Sequence, residues 1–327
     1  MSALHVRAFS EADAGAWDAF CAASVNGTFL HTRRFLSYHG DRFADCSCIV
    51  ERDGRWVGVL PAAAAPDDAR CALSHPGATF GGLVHGGALA GADAIEALAR
   101  IARHLCAAGF TALRYRAVPH LYHGVPAQDD LYGLFRLGAQ RYRCDLSCAV
   151  DLESGAAPAS RRERGVRKAH KAGVSVRAGV EQLAEFWPVL LENLARRHDA
   201  RPVHSLAEMS LLMGRFPQAI ELVCARLDGA VVGGTLLFVH PRVVHAQYIA
   251  ASAAGHEVGA LDAVFAFAIA HARGRARYFD FGISNEDEGR RLNAGLYGFK
   301  REFGGGGAVH EHFALDLERA AAAQSAD

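Results

Sequence analysis

The residues best suited to chemistry gather towards the carboxyl end of the chain, in "YFDFGISNEDEGRRLNAGLYGFKREFGG" at 278–305. Its only lysine, Lys300, is flanked by Phe299 and Phe303, in a chain that uses arginine 32 times and lysine three times. An ammonium is a point charge that gives up its proton when buried, whereas a guanidinium effectively does not. Lys300 therefore reads as a charge- or proton-handling group, or as a surface residue whose stem snorkels past the two rings. Asp280 alternates with Phe279 and Phe281, so it points away from them. Arg291 and Asn293 follow in the loop, where Glu286, Asp287 and Glu288 read as solubilising charge. A second concentration is "RRERGVRKAHKAGVSV" at 161–176. Helical spacing puts Arg164, Arg167, Lys168 and Lys171 on one face. Such a face is either simply solvated or grips a phosphate-bearing ligand.

Other chemistry is poorly supported. Seventeen histidines and eight cysteines include no C-x-x-C pair, and no tetrahedral ligand spacing appears, so no metal is expected. The cysteines read as buried thiols of a reduced compartment. Basic and acidic residues balance at 35 each. No global field recruits DNA, and any polyanion must be met by a local patch. The first twenty residues lack a signal-peptide pattern, and the apolar run "LDAVFAFAIAHA" is too short to span a bilayer. The expected location is cytoplasmic, with the inner membrane face as a peripheral option.

The elements that must position these residues form a repeat. In the second half "VSVR" is a strand. The stripe Leu183, Phe186, Trp187, Leu190, Leu191 and Leu194 makes a helix, which Pro188 either kinks or marks at its first turns. Ser205 and Glu208 open a second helix as a capping box. "IELVCAR", "AVVGGTLLFV" and "VVHAQYIAAS" are strands, the first two turned at Asp228-Gly229. A helix, the strand "RYFDF", a helix and a last strand near 307–317 complete the order. The first half runs through the same sequence of elements. "DGRWVG" at 53–58 parallels "DGAVVG" at 228–233, "LYG" recurs at 131 and 296, and "AVDL" at 149–152 matches "ALDL" at 314–317.

The expected organisation is α+β: two tandem domains at 1–152 and 161–317, each a mixed, mostly antiparallel sheet flanked by helices. A linker at 153–160 joins them, and a frayed tail covers 318–327. Ligands of open sheets favour the crevice beyond the carboxyl ends of parallel strands. In the second domain that places the loop after Phe281-Gly282, and the Lys300 segment, at the crevice. In the first domain His75 and Arg114 sit near the equivalent ends.

This element order resembles the GNAT fold, and two units in tandem resemble the FemAB-type transferases. "TFLHTRRFL" at 28–36, the basic run at 161–176 and the closing block "YFDFGISN…LNAGLYGFKREFGG" are similar to segments of that family. The chain departs from it in lacking an inserted coiled-coil arm. The resemblance implies acyl or aminoacyl transfer to an amine on a cell-envelope or polysaccharide precursor. It places Lys300 at the transfer site, near the reacting carbonyl, where an ammonium can stabilise the developing oxyanion or a donor phosphate. Tyr248 would then supply a proton or bind the acceptor, and Asp280 would accept the amine's proton or orient Lys300. Arg34 and His39 fall on the helix that helps bind the acceptor in the family; Asn293 is a further loop candidate.

No tightly bound cofactor is expected, the acyl donor being a co-substrate. The junction "ASAAGHEVGAL" at 251–261 has glycines but lacks the spaced arginine or glutamine of a coenzyme A cradle, and Glu257 would repel phosphate. Aminoacyl-tRNA and acyl-CoA both stay open as donors, with tRNA a candidate partner. The acceptor would be a small molecule or a lipid- or nucleotide-linked glycan precursor. A coenzyme A-dependent sugar N-acetyltransferase and a silent precursor-binding relative are the other readings.

Overall fold

The computed structural model describes residues 3–198 and 202–322. It is α+β, and its backbone contacts divide into two units.

The first half of the chain contributes β1 (His5–Ala8), α1 (Ala14–Ala23), α2 (Arg33–Leu36), β2 (Cys48–Arg52) and β3 (Arg55–Leu60). β4 (Ala63–Ala65), β5 (Asp68–Ser74), β6 (Val84–His85), α3 (Ala92–Ala107), β7 (Ala112–Arg116), α4 (Asp129–Arg136) and β8 (Gln140–Asp151) follow. The second half runs α5 (Ser160–Lys171), β9 (Ser175–Ala178), α6 (Leu183–His198), α7 (Leu206–Arg215), β10 (Ile220–Leu227), β11 (Ala230–Val239) and β12 (Val243–Ala251). It ends with α8 (Ala253–Val258), α9 (Ala260–Ala272), β13 (Tyr278–Ile283), the small hairpin β14 (Asn285–Glu286) and β15 (Arg291–Leu292), α10 (Ala294–Arg301), β16 (Gly306–Asp316) and α11 (Leu317–Ala322).

Two expectations need correction. The units do not follow a single cut at 153–160: the first takes back 287–290 and 309–327, and the second begins at Leu146. The closing strands are exchanged. β16 pairs antiparallel with β7 of the first unit, His312 opposite Arg116, while the end of β8 pairs with β13 of the second, Val150 opposite Phe279. The matched "AVDL" and "ALDL" segments offer the same alternation, so residue pattern cannot say which sheet each joins. The tail expected to fray from 318 is instead the helix α11, which buries Leu317 and Ala320 and packs on α3; 323–327 lie outside the described residues.

In the second unit β9, β10, β11 and β12 form an antiparallel meander, and β13 joins parallel to β12. One face of this sheet carries Val244, Ala246, Phe279 and Phe281 against Val264, Phe265 and Ala268 of α9. Those apolar rungs drive the packing. Asp280 and His245, alternating with them, belong to the opposite face. Pro188 falls inside α6 as its sixth residue, where it removes the N–H that would bond to Ala184 O, and Ser205 caps α7 in a capping box with Glu208.

The first unit pairs β5 parallel to β7 right to the end of β5, Ser74 opposite Tyr115. The glycine-rich stretch after β5 then folds back over both strand ends. Gly81 N–H donates to Arg116 O (3.1 Å), and Leu83 N–H donates to the Tyr115 hydroxyl (2.7 Å). A Cβ on Gly81 would stand 2.2 Å from Ser74 O, so only glycine allows this approach. The crevice of the first unit is thereby filled by its own chain. Tyr115, fully buried, also donates to Asp130, whose carboxyl burial raises to about 6. Tyr115→Phe keeps the ring but strands both partners. It should lower unfolding free energy by about 1–3 kcal/mol in a urea titration.

Candidate functional site

β12 and β13 are hydrogen-bonded for only three rungs, from Val243–Tyr278 to His245–Asp280. β12 then continues along β11 as far as Ala251 opposite Gly233, skipping Gln247 as a bulge. β13 instead breaks register and resumes with Ile283 opposite Ser147 of β8. The two strands part, opening a wedge at their carboxyl ends. Two buried polar atoms on its margins, Gln247 Oε1 and Ser284 Oγ, have no partner among the described residues.

At the apex Asp280 is wholly buried and Gly282 adopts a φ of +75°. That left-handed turn is open to glycine at little cost, and it aims three parts of one residue at three neighbours. Gly282 N–H donates to Asp280 Oδ1 (2.9 Å), and Gly282 O accepts from Lys300 Nζ (2.8 Å). The bare Cα faces the His245 ring; a Cβ would lie 3.2 Å from its Cε1. Asp280 also accepts from Ser147 Oγ and, at 3.0 Å, from His245 Nδ1.

Lys300, in the last turn of α10, is 2% exposed. Its Nζ donates to the Gly282 and Ile283 carbonyls, the latter at 2.7 Å. An ammonium has three donors, and these bonds use two. Burial lowers its pKa to about 8, against the opposing pull of the Asp280 carboxylate and, more weakly, Cys148. A snorkelling surface lysine does not describe this geometry.

Asn293 caps α10 rather than facing a ligand. Its Oδ1 accepts from Leu296 N–H (3.0 Å), its Nδ2 donates to Glu286 (2.9 Å), and its own N–H donates to Ser284 O (2.8 Å). It thus sets the entry of the helix that delivers Lys300. Tyr248 lies three residues past His245 on β12. Its hydroxyl meets His204 Nδ1 at 2.7 Å, its ring packs edge-on to Trp187, and burial raises its pKa.

The first-unit candidates do not converge on an open crevice. His75 is buried, bonded to Pro76 O (2.6 Å) and pushed by burial down to about 4. His39 stacks on it, with ring centroids 5.5 Å apart, and bonds to Leu36 O (2.9 Å). Both histidines are packed into structure. Arg114 is bonded to both carboxylate oxygens of Asp67, which raises its pKa, and Arg34 is exposed on α2. On α5, Arg162 turns inward to Asp262 (2.6 Å) and over Phe299. Arg164, Arg167, Lys168 and Lys171 remain exposed. Sequence reasoning missed His245 and Ser147. Their alternation was visible, but their meeting at Asp280 depends on strand registers.

Residues 159–301 match the family model of an acetyltransferase (GNAT) domain. This segment is a GNAT domain. No curated protein matches the chain by sequence. Among solved structures, the crystal structure of FemX aligns with a TM-score of 0.68 at 16% identity, over 95% of this chain and 96% of that one. A tandem GNAT protein from the clavulanic acid biosynthesis pathway gives 0.53 at 16% identity, over 96% and 98%. The C-terminal domain of a putative lysylphosphatidylglycerol synthetase from Agrobacterium fabrum gives 0.57 at 13% identity, over 80% and 82%. At such identities the likeness is one of fold: the chain has the tandem GNAT, FemABX-like architecture. Among the described residues no helix is long and apolar enough to cross a membrane, and no cluster of histidine, cysteine or carboxylate side chains could hold a metal.

Replacing Asn293 with alanine should cost about 1 kcal/mol through the lost cap. It should also loosen Lys300, seen as faster hydrogen exchange of the α10 amides.

Proposed function

We propose that the second unit transfers an acyl group to an amine in the wedge between β12 and β13. The observation that carries this is the buried Lys300 ammonium, seated on the two carbonyls where β13 leaves β12, with one donor still available. Attack on an acyl carbonyl builds negative charge on its oxygen. A fixed ammonium in a site of low dielectric stabilises that charge without reorganising. The GNAT domain supports an acyl donor, and the FemX-like fold supports an amine acceptor on a cell-envelope or polysaccharide precursor.

The surroundings favour an aminoacyl ester over a coenzyme A thioester. After β12 the Ser252 hydroxyl already accepts from Gly255 N–H (3.1 Å), α8 is only six residues long, and Glu257 is exposed beside it. A pyrophosphate would meet little there. Arg164, Arg167, Lys168 and Lys171, exposed on α5, make no ion pair with a carboxylate among the described residues and suit a polyphosphate donor such as tRNA. The tandem GNAT neighbour named with reference to AcCoA keeps the thioester as the second reading.

The test is a transfer panel. Acetyl-CoA and mixed aminoacyl-tRNA are offered with hexosamines and with α- and ε-amino peptides. Label should reach an amine from the tRNA pool, and Lys300→Met should lower the rate about 10²–10³-fold. Transfer unaffected by that change would sink the reading, as would no transfer from any donor. pH supplies a second check. The folded ammonium is lost above about 8, whereas the unfolded lysine stays charged to 10.5. Between these values the unfolded chain binds more protons, so this group adds stability as pH rises. Transfer should fall over the same window, and Lys300→Met should remove the stability gain.

A further inference from the structure

A neutral amine that adds to a carbonyl must shed one proton to become an amide, and Lys300, a cation held on carbonyls, is unsuited to taking it. The acid expected for that task, Asp280, is wholly buried and already accepts from Ser147, Gly282 N–H and His245. Its lone pairs are committed, and no face of it is open to a substrate.

His245 is differently placed. It stands on the last hydrogen-bonded rung before β12 and β13 part, with 9% of its side chain exposed. A carboxylate only accepts, so the Nδ1 that meets Asp280 Oδ2 at 3.0 Å must carry a proton. In the neutral ring, Nε2 is then the basic nitrogen. Among the described residues Nε2 has no hydrogen-bond partner. The bare Cα of Gly282 leaves room for the ring beside β13, at the residue whose carbonyl holds Lys300.

We infer that His245 takes the proton from the attacking amine, with Asp280 and Ser147 as positioning residues that hold its ring and tautomer. The inference rests on the acyl-transfer reading above. In the step, the amine nitrogen bonds to the acyl carbon and the carbonyl π pair moves to oxygen beside Lys300. The nitrogen's proton passes to His245 Nε2. Collapse re-forms the carbonyl and breaks the bond to the leaving oxygen or sulfur, which takes that proton back from the imidazolium. The products are an amide and the free donor alcohol or thiol, and His245 is neutral again. Asp280 stays ionised throughout and stabilises the imidazolium while it exists.

The experiment uses the full chain and whichever donor–amine pair turns over in the transfer panel. His245→Gln and His245→Ala should each lower kcat about 10²-fold or more, with melting temperature followed in parallel. Added imidazole and methylimidazoles should restore the His245→Ala rate, and restoration should rise with the strength of the base. Asp280→Asn should lower kcat while leaving KM close to wild type. Long-range proton–nitrogen NMR of the ligand-free protein should show Nδ1 protonated in wild type, and this preference should disappear in Asp280→Asn. Absence of turnover in wild type with every pair overturns the acyl-transfer reading and this one with it. Wild-type turnover retained in His245→Gln overturns this inference alone. So does a folded His245→Ala that no base restores, or a wild-type ring protonated on Nε2.

Discussion

The site depends on one backbone event: β12 and β13 stop pairing after the His245–Asp280 rung. Parallel strands that stay bonded leave no room between them, as the first unit shows, where β5 and β7 pair to the end of β5. In the second unit the Gln247 bulge and the register break after Asp280 let the strands separate. Freed backbone groups must still be satisfied. Lys300 takes up two carbonyls, Asp280 takes up the Gly282 N–H, and the polar residues of the wedge follow from that requirement.

Gly282 makes these parts one device. A side chain there would crowd the His245 ring, and the positive φ would strain any other residue. The same turn presents the carbonyl to Lys300 and the amide to Asp280. The Lys300 ammonium and the His245 ring therefore both border one residue, within a buried polar cluster. Lys300, one of three lysines against 32 arginines, meets both carbonyls through its single nitrogen.

The two units show how duplicated folds can differ in use. The first keeps the order of elements but covers its parallel strand ends with the glycine-rich stretch, packing His39 and His75 into the structure. The second lets β12 and β13 part after the His245–Asp280 rung and sets the buried Lys300 beside them. The exchange of closing strands further ties each unit to residues from the other half of the chain.

Much of this was legible in the sequence. Period-two alternation put Asp280 opposite Phe279 and Phe281, the capping box fixed the start of α7, and the repeated Asp-Gly turns revealed the duplication. The anomalous Lys300 pointed to a place where the structure gathers buried polar groups, because residue usage is readable without coordinates. Local patterns carry such information since they depend on neighbours within a few positions. Asn293 misled for the same reason, because a capping asparagine and a ligand-binding one look alike in a loop. What only the tertiary structure decided were registers and partners separated by long stretches of chain. Ser147 and His245 meet at Asp280 across 133 and 35 residues, and each closing strand pairs with a strand from the other half of the chain. Burial then turned an ordinary ammonium into one with a pKa of about 8. No local pattern encodes these, because hydrogen-bond register and desolvation are properties of the packed chain.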